Sequence, residues 1–238
     1  MPNQSAEGRL IKHSLAELLK EEIVAGRLAP AERIVEAKWA SYFGKSQGSV
    51  REALNLLAME GFVQKGANRS ARVVNLSERD ILEIYDVRAA LEGRAAYLVA
   101  EKRASLETAR SIASEMTTAA QAEDVRRLVD LDLKFHLEIC TQAGNRILLE
   151  ELRRLLTPLF AFIQIRVQAF PSVREGWLNA YSEHHRILDV IALGDGSVAE
   201  EFMKKETLRF ASTACNIWQI STKAARRRRR TEPELKSA

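Results

Sequence analysis

The chain has 238 residues, a hydrophobic fraction of 46% and a formal net charge of +4. This length allows one large domain or two modest ones, and the apolar fraction is that of an ordinary folded protein. No apolar run approaches the ~20 residues that a membrane helix needs, and the polar N-terminus lacks the apolar core of a secretory signal. We therefore predict a cytoplasmic protein with no membrane partner, in which Cys140 and Cys215 are reduced thiols.

The basic charge lies at the two ends of the chain. Residues 1–74 carry 11 basic and 8 acidic side chains, residues 75–222 carry 18 and 22, and residues 223–238 carry 7 and 2. Phosphate contacts dominate DNA affinity, so this distribution suits an N-terminal DNA-binding domain followed by a separate sensing domain. The N-terminal excess is small, however, and charge alone does not identify the function.

A helix-turn-helix unit is predicted after a first helix over about residues 10–25, whose buried stripe is Ile11, Leu15, Leu18, Leu19 and Ile23. Two shorter helices, over 35–43 and 46–60, are separated by Gly44-Lys45-Ser46, where the glycine ends one helix and the serine caps the next. The apolar face of the second is Val50, Ala53, Leu54 and Leu57. Its polar face is Gln47, Arg51 and Asn55.

A β-hairpin is predicted directly after the helix-turn-helix. Residues 62–65 and 71–74 are short β-prone runs, and the loop between them has turn residues with Arg69 near its tip. The whole unit, over residues 8–75, is therefore predicted to be a winged helix-turn-helix. Such helices and hairpins also occur in small domains with no role in nucleic-acid binding, so the pattern alone leaves both interpretations open.

Three segments of this unit resemble the N-terminal domain of GntR-family transcription regulators: RIVE at 33–36, SVREAL at 49–54 and EGFV at 60–63. The resemblance implies binding to a double-stranded DNA operator. Relatives often carry basic residues where this chain has Ala37 and Gln47, so we expect a different operator sequence. The predicted DNA contacts are Lys38, Lys45, Ser46, Gln47, Ser49, Arg51, Asn55 and Arg69.

The rest of the chain is predicted to be mainly α-helical, as a bundle over residues 77–220. Gly and Pro are scarce there, and the helices are placed near 78–103, 106–122, 125–142, 146–169, 174–193 and 197–220. Ser77 is predicted to cap the first of them, and Pro158 to kink the fourth. The basic tail over 223–238, with Arg226 to Arg230, is predicted to be disordered. It is either a phosphate-binding arm or a solubilising terminus.

Three of these helices carry ionisable side chains in the middle of an apolar stripe. Asp132 and His136 are four residues apart on one helix, while His184 and Glu206 lie on two later helices. An unpaired charge in an apolar interior is costly, so such groups need partners. A shared Zn²⁺, Mn²⁺, Fe²⁺ or Ni²⁺ ion would satisfy them together. Alternatively, Asp132 pairs with His136, and His184 is an ordinary core histidine.

Residues 87–92 (VRAALE), 130–136 (DLDLKFH) and 183–188 (EHHRIL) resemble the FCD effector domain of the FadR subfamily of GntR regulators. The resemblance implies a metal bound by an aspartate and three histidines beneath a pocket for small carboxylates. Asp132, His136 and His184 match three of these ligands, whereas Glu206 stands in place of the last histidine. The site then has either two histidines and two carboxylates, or no metal.

Two further residues are implied to bind the effector. Arg88 would reach an anionic effector, because guanidinium recognises a carboxylate through two hydrogen bonds; alternatively it pairs with Glu92, four residues later. Asn145 either lines the pocket or caps the following helix.

The combined prediction is a ligand-responsive transcription regulator, a homodimeric repressor that senses a small organic acid with a bound divalent metal. The alternative is a metal-dependent enzyme that acts on a small metabolite and carries an accessory winged helix. Two histidines and two carboxylates could activate a water molecule. The sequence offers no further general base or nucleophile on the same helix faces, which counts against the enzyme.

Overall fold

The computed structural model describes residues 4–66, 71–169 and 183–231, and for residues 4–11, 169, 212, 213 and 216–231 it describes the backbone alone. The chain divides into two compact units. The first comprises residues 1–76 and 156–165, and the second comprises residues 77–155 and 166–238. The predicted division at residues 75–77 does not place residues 156–165 in the N-terminal unit, whereas the structure does.

The first unit is a winged helix. Its elements are α1 (Gln4–Val24), β1 (Arg33–Ile34), α2 (Glu36–Phe43), α3 (Gln47–Met59), β2 (Val63–Lys65) and β3 (Ala71–Val73). The sheet order is β1-β3-β2, all antiparallel, with Val63 opposite Val73 and Ile34 opposite Ala71. The sequence pattern did not reveal β1, because two residues are too short to show an alternating pattern.

The core of this unit lies between α1 and α3. Leu15, Leu19 and Ile23 of α1 are buried, whereas Leu18 is 43% exposed, so its prediction as a core residue is wrong. It lies beside Leu19 on the helix but faces solvent, because a stripe defined by spacing alone is wider than the contact with α3. The predicted apolar face of α3 is entirely buried: Val50, Ala53, Leu54 and Leu57.

The second unit is all-helical in its described residues. It contains α4 (Glu78–Glu101), α5 (Glu107–Gln121), α6 (Val125–Gln142), part of α7 (Arg146–Ala169), α8 (Glu183–Ala192) and α9 (Gly196–Thr231). The longest packing contact runs between α4 and α9, and α5 packs against α6. Ser77 begins α4 with a reciprocal pair of hydrogen bonds to Asp80, as predicted.

The structure and the prediction differ at the C-terminal end. Helix α9 continues to Thr231, so residues 223–231 are helical where a disordered tail is predicted. Alanine and arginine are strong helix formers, and this propensity favours continuation of the helix. The predicted disorder was based on the charge of the segment alone. Residues 232–238, and residues 174–182 of the predicted helix over 174–193, lie outside the described residues. Helix α7 continues through Pro158.

Both cysteines are free and buried. Burial raises the pKa of each thiol, which lowers its reactivity. Among the described helices, none is both long enough and apolar enough to cross a lipid bilayer.

Candidate functional site

The first candidate site is the exposed surface of α2 and α3. Gly44 ends α2 in the left-handed conformation, with a φ of 61°, and Ser46 begins α3 by accepting a hydrogen bond from the backbone N–H of Ser49 at 3.1 Å. The hydroxyls of Ser46 and Ser49 also lie 2.9 Å apart. Both serines therefore hold the N-terminus of the helix that carries the predicted base contacts.

Arg51 lies on this surface and pairs with Glu36 of α2. Its Nε is 3.1 Å from each carboxylate oxygen, and its Nη2 is 2.7 Å from Oε2. The arginine side chain is 62% exposed, and Glu36 raises its pKa above the usual value. The two-pronged pair fixes the plane of the guanidinium while leaving the group open to solvent.

Asn55, one turn after Arg51, contacts the wing. Its Oδ1 accepts a hydrogen bond from Nζ of Lys65, the last residue of β2. Lys65 is exposed and basic, and the sequence analysis did not include it among the DNA contacts. The sequence position indicates this contact, because a lysine at the end of the first strand of a wing lies close to the recognition helix.

The other predicted DNA contacts are exposed side chains on or beside the same two helices. Lys38 lies on α2 with its Nζ 6.0 Å from the centre of the Trp39 ring, and Lys45 and Gln47 flank the cap of α3. Arg69 falls outside the described residues. Basic and amide side chains on one exposed surface can contact phosphates and base edges.

The second candidate site is buried in the helical unit. Asp132 and His136 project from α6, and His184 projects from α8. Asp132 Oδ1 lies 2.9 Å from His184 Nε2 and 3.1 Å from His136 Nε2. All three residues are 5–6% exposed, and one ligand atom from each lies within 4.8 Å of the others.

Helix α4 supplies a second layer to this site. Arg88 donates from Nε to Glu92 Oε1 at 2.7 Å, and its Nη2 is 2.6 Å from His136 Nε2. Glu92 Oε2 lies 3.3 Å from His136 Nδ1 and accepts a hydrogen bond from the hydroxyl of Thr207 at 3.1 Å. From the sequence, Glu92 is predicted only as a partner of Arg88. Thr207 is not predicted, because a hydroxyl on a helix face carries no signal of its own.

The charges of this network oppose the effect of burial. Burial would raise the pKa of Asp132, but His184 and His136 hold it well below its usual range. Burial would also raise the pKa of Glu92, but Arg88 and His136 lower it to about 2. For His136, burial lowers the pKa, yet Glu92 and Asp132 bring it above its usual value. Asp132 and Glu92 are therefore carboxylates at neutral pH and can act as ligand or counter-charge.

Glu206, the fourth predicted metal ligand, lies on α9 and is 7% exposed. Its Oε2 accepts a hydrogen bond from Nε of Arg209 at 2.8 Å and lies 2.7 Å from Nη2 of the same guanidinium. The structure therefore brings together three of the predicted ligands, while the carboxylate of Glu206 is held by an arginine. The spacing of three residues between Glu206 and Arg209 allowed for this pair.

These side chains surround a small cavity in the second unit. Its volume is about 20 Å³, which is room for one water molecule or one ion and too little for an organic acid. Asn145, a predicted effector contact, is exposed and accepts a hydrogen bond from the backbone N–H of Leu148, as a helix cap does. The residues that line the cavity are Arg88, Asp132, His136, Glu183, His184, Ile187, Glu206, Thr207 and Phe210.

The three-residue group has the chemistry of a metal site. One carboxylate and two imidazoles are the donor set that first-row divalent cations accept, and one ligand atom from each residue lies within 4.8 Å of the others. Glu92 lies 3.3 Å from Nδ1 of His136, where a carboxylate orients a metal-binding histidine. Asp132, His136 and His184 therefore fit a divalent cation, and Arg88 supplies a positive charge beside them.

Both units match known protein families. Residues 11–73 match the model of bacterial regulatory proteins of the gntR family, and residues 83–206 match the model of the FCD domain. The first of these covers the winged helix, and the second covers every residue that lines the buried cavity except Thr207 and Phe210.

Relatives match over most of the chain. One, named "Probable D-xylose utilization operon transcriptional repressor" in Paenarthrobacter nicotinovorans, is 29% identical over 81% of this chain and 85% of its own. The HTH-type transcriptional repressor GlaR of Escherichia coli is 27% identical over 80% of this chain and 89% of its own. The solved structure of E. coli McbR/YncC covers 87% of this chain and 98% of its own, with a TM-score of 0.63 at 19% identity, and it supports the fold.

Proposed function

This chain belongs to the gntR family of bacterial regulatory proteins and carries an FCD domain. We therefore propose that it is a homodimeric repressor and that a small carboxylate controls its binding to the operator. The protein is a DNA-binding transcription regulator, with a ligand-binding effector domain, rather than an enzyme. The metal-dependent enzyme considered from the sequence has no support among the relatives. A transcription regulator acts where the chromosome is, and we place it in the cytoplasm.

Operator recognition is assigned to the exposed surface of α2 and α3. Arg51 and Gln47 face base edges in the major groove, while Lys38, Lys45 and Lys65 contact phosphates. Two copies of the chain carry two such surfaces, so the operator has two similar half-sites related by a two-fold axis.

Sensing is assigned to the buried cavity of the helical unit. Asp132, His136 and His184 hold a divalent cation there, which we place among Mn²⁺, Fe²⁺, Ni²⁺ and Zn²⁺ because the donors are nitrogen and oxygen. When bound, the cation would supply a positive charge that attracts a carboxylate. Arg88 adds a buried positive charge next to His136, and its contact with Glu92 fixes its position.

The observation that carries the proposal is the position of this cluster of charged and metal-ligating side chains. Three metal-type ligands and an arginine line one buried cavity, and each of these residues is only 4–6% exposed. A core without a ligand would gain little from them, because replacing a buried ionic group by apolar residues is often neutral or stabilising. We infer that they are there to bind a charged ligand.

The test is selection of bound sequences from random DNA with the full chain, followed by gel shifts on the selected operator. We expect a site with two-fold symmetry, and weaker binding when Mn²⁺ and one of acetate, glycolate, lactate, succinate or citrate are both present. His184→Ala should bind the same operator without any response to these additions. An operator with no symmetry would contradict the dimer, and a wild-type protein indifferent to every metal and acid combination would contradict the sensor.

The sign of regulation needs its own measurement, a reporter gene placed downstream of the selected operator. A repressor lowers reporter output when it is expressed, and Arg51→Ala weakens that effect. Increased output from the wild-type protein would make it an activator.

A further inference from the structure

The Glu206–Arg209 pair lies on one face of α9, beside the cavity. Glu206 lines the cavity with 9% of its side chain exposed, while Arg209 is 52% exposed and lies next to it. Nη2 of Arg209 is also 3.9 Å from Oε1 of Glu183, another residue of the cavity lining. One guanidinium therefore joins two carboxylates of the cavity wall and reaches solvent.

A guanidinium that binds the carboxylate of Glu206 can bind the carboxylate of a small acid in the same way. The planar fork of arginine matches any carboxylate, and the Glu206 carboxylate occupies it in this structure. The cavity, at about 20 Å³, has no space for an organic acid while the lining side chains keep these positions. An entering acid must therefore displace part of the lining, and Arg209 is half in solvent already.

We propose that Arg209 binds the carboxylate of the effector and that Glu206 occupies Arg209 until the effector arrives. The exchange makes and breaks no covalent bond, because one carboxylate replaces another on the same guanidinium. Glu206 then turns toward Asp132, His136 and His184, where a bound divalent cation is its new counter-charge. This inference rests on the proposed function, and it names Arg209 as a specificity-determining residue for small carboxylic acids.

The charges explain why the two steps depend on each other. Glu206 is buried, so it cannot leave Arg209 unless another positive charge receives it. A cation held by Asp132 and two neutral imidazoles has an uncompensated positive charge, which the second carboxylate removes. The effector should therefore bind more tightly when the metal is present, and the metal should bind more tightly when the effector is present.

The simpler interpretation is that Arg209 only neutralises Glu206 and never contacts a ligand. The two interpretations predict different results for Glu206→Gln. If Arg209 is the acid-binding residue, removing the charge of Glu206 takes away its nearest carboxylate, leaves only the longer 3.9 Å contact with Glu183 among the contacts described, and strengthens acid binding. If the pair is only structural, the substitution leaves acid binding unchanged.

The anion experiment uses the full chain freed of metal with a chelator, and titration calorimetry with acetate, glycolate, lactate, succinate and citrate. We expect Glu206→Gln to bind at least one acid about fivefold more tightly than wild type, and Arg209→Gln to bind none more tightly, in line with a partly exposed ion pair. The double variant should behave as Arg209→Gln does. Glycolamide, the neutral analogue of glycolate, should bind no variant.

Two controls accompany these variants. Arg79→Gln removes a guanidinium from another carboxylate pair in the same unit, Arg79 with Glu83, and should leave acid binding unchanged. Arg209→Lys keeps the charge without the fork and should bind acids only weakly. Thermal melts show whether the glutamine variants fold. If they fold poorly, the acid affinity of Arg209→Lys still tests the role of the guanidinium. Equal acid affinities in wild type, Glu206→Gln and Arg209→Lys would overturn the proposal.

The metal experiment uses Mn²⁺ alone, detected by its paramagnetic resonance signal. Arg209→Gln releases Glu206 and should raise Mn²⁺ affinity, whereas Glu206→Gln should lower it, each by about fivefold. In the Glu206→Gln background, the arginine substitution should then change nothing. Unchanged Mn²⁺ affinity in Arg209→Gln would overturn the exchange of Glu206. If the wild-type chain binds no Mn²⁺ at all, the metal of the proposed function fails, and the anion experiment still decides the role of Arg209.

Discussion

Two arginine–glutamate pairs of similar geometry lie in very different surroundings. In the winged helix, Arg51 and Glu36 are 2.7 Å apart, and 62% and 25% of their side chains are exposed. In the helical unit, Arg88 and Glu92 are also 2.7 Å apart, and only 5% and 1% are exposed. The distance is the same, but the buried pair is shielded from water and also contacts His136 and Thr207.

The difference concerns what each arginine is free to do. Water screens the exposed pair, so Arg51 can exchange a carboxylate for DNA at little cost. The buried pair has lost its hydration, and separating it leaves a bare charge in the interior. We therefore expect substitutions in the buried network to affect folding, and substitutions on the exposed surface to affect binding.

The largest effect should come from Arg88→Ala. Removing this guanidinium leaves Glu92 buried without its main counter-charge, so the free energy of unfolding should fall by about 3–5 kcal/mol. Urea denaturation followed by circular dichroism measures it. Arg79→Ala is the matched control, because Arg79 and Glu83 have the same spacing on the same helix and the same 2.7 Å distance but are 86% and 61% exposed. Equal urea midpoints for the two variants would mean that burial does not decide the outcome.

The second effect concerns the metal. Wild-type protein in Mn²⁺ at a hundredfold excess over its dissociation constant should gain about 2.7 kcal/mol of stability, because the ion binds the folded state. His184→Ala should lose both this gain and the bound metal, measured by melting curves and elemental analysis. His185→Ala is the control, since His185 is the next residue in the chain and lies 3.4 Å from the hydroxyl of Thr117, outside the cavity lining. Loss of metal in both variants would count against the assigned site.

The third effect should appear in DNA binding alone. Arg51→Ala should lower affinity for the selected operator about tenfold to a hundredfold, while its melting temperature stays near that of wild type. Gel shifts at fixed salt measure the affinity. Arg27→Gln serves as control, because Arg27 also pairs with a glutamate in the same unit, Glu22, but lies outside α2 and α3. Wild-type affinity in Arg51→Ala would remove this residue from the interface.

The smallest effect should come from the cap of α4. The pKa of Asp80 lies below its usual value because the carboxylate accepts hydrogen bonds from the hydroxyl and the backbone N–H of Ser77. Asp80→Ala should lower the free energy of unfolding by about 0.5–1 kcal/mol at neutral pH. A group with a lowered pKa stabilises the fold only while it is ionised, so this contribution is lost as the pH falls through the folded-state pKa.

The measurement is the urea midpoint of wild type and Asp80→Ala, at about pH 7 and about pH 3. The two proteins should differ at the higher pH, and the difference should shrink at the lower one. Glu83→Ala, three residues later and without a capping role, should match wild type within error at neutral pH. A difference between wild type and Asp80→Ala that stays constant with pH would mean that Asp80 acts through something other than its charge.

Local patterns in the sequence accounted for much of the fold and part of the site. The helix-turn-helix follows from apolar spacing, from Gly44 and from the cap at Ser46, all of which act within one or two helical turns. Asp132 and His136 share a face of α6 because they are four residues apart, and His184 stands out as an ionisable group within a buried stripe. Each of these signals is fixed by near neighbours along the chain.

The tertiary structure alone decided which side chains meet across helices. Arg51 pairs with Glu36 fifteen residues away, Asn55 meets Lys65 of the wing, and Thr207 reaches Glu92 across 115 residues. Nothing in local spacing selects such partners, because a helix face offers several neighbours and packing chooses among them. Even Glu206 and Arg209, close in sequence, could have pointed apart. The burial of Glu206 beside a half-exposed arginine follows from how α9 packs against the rest of its unit.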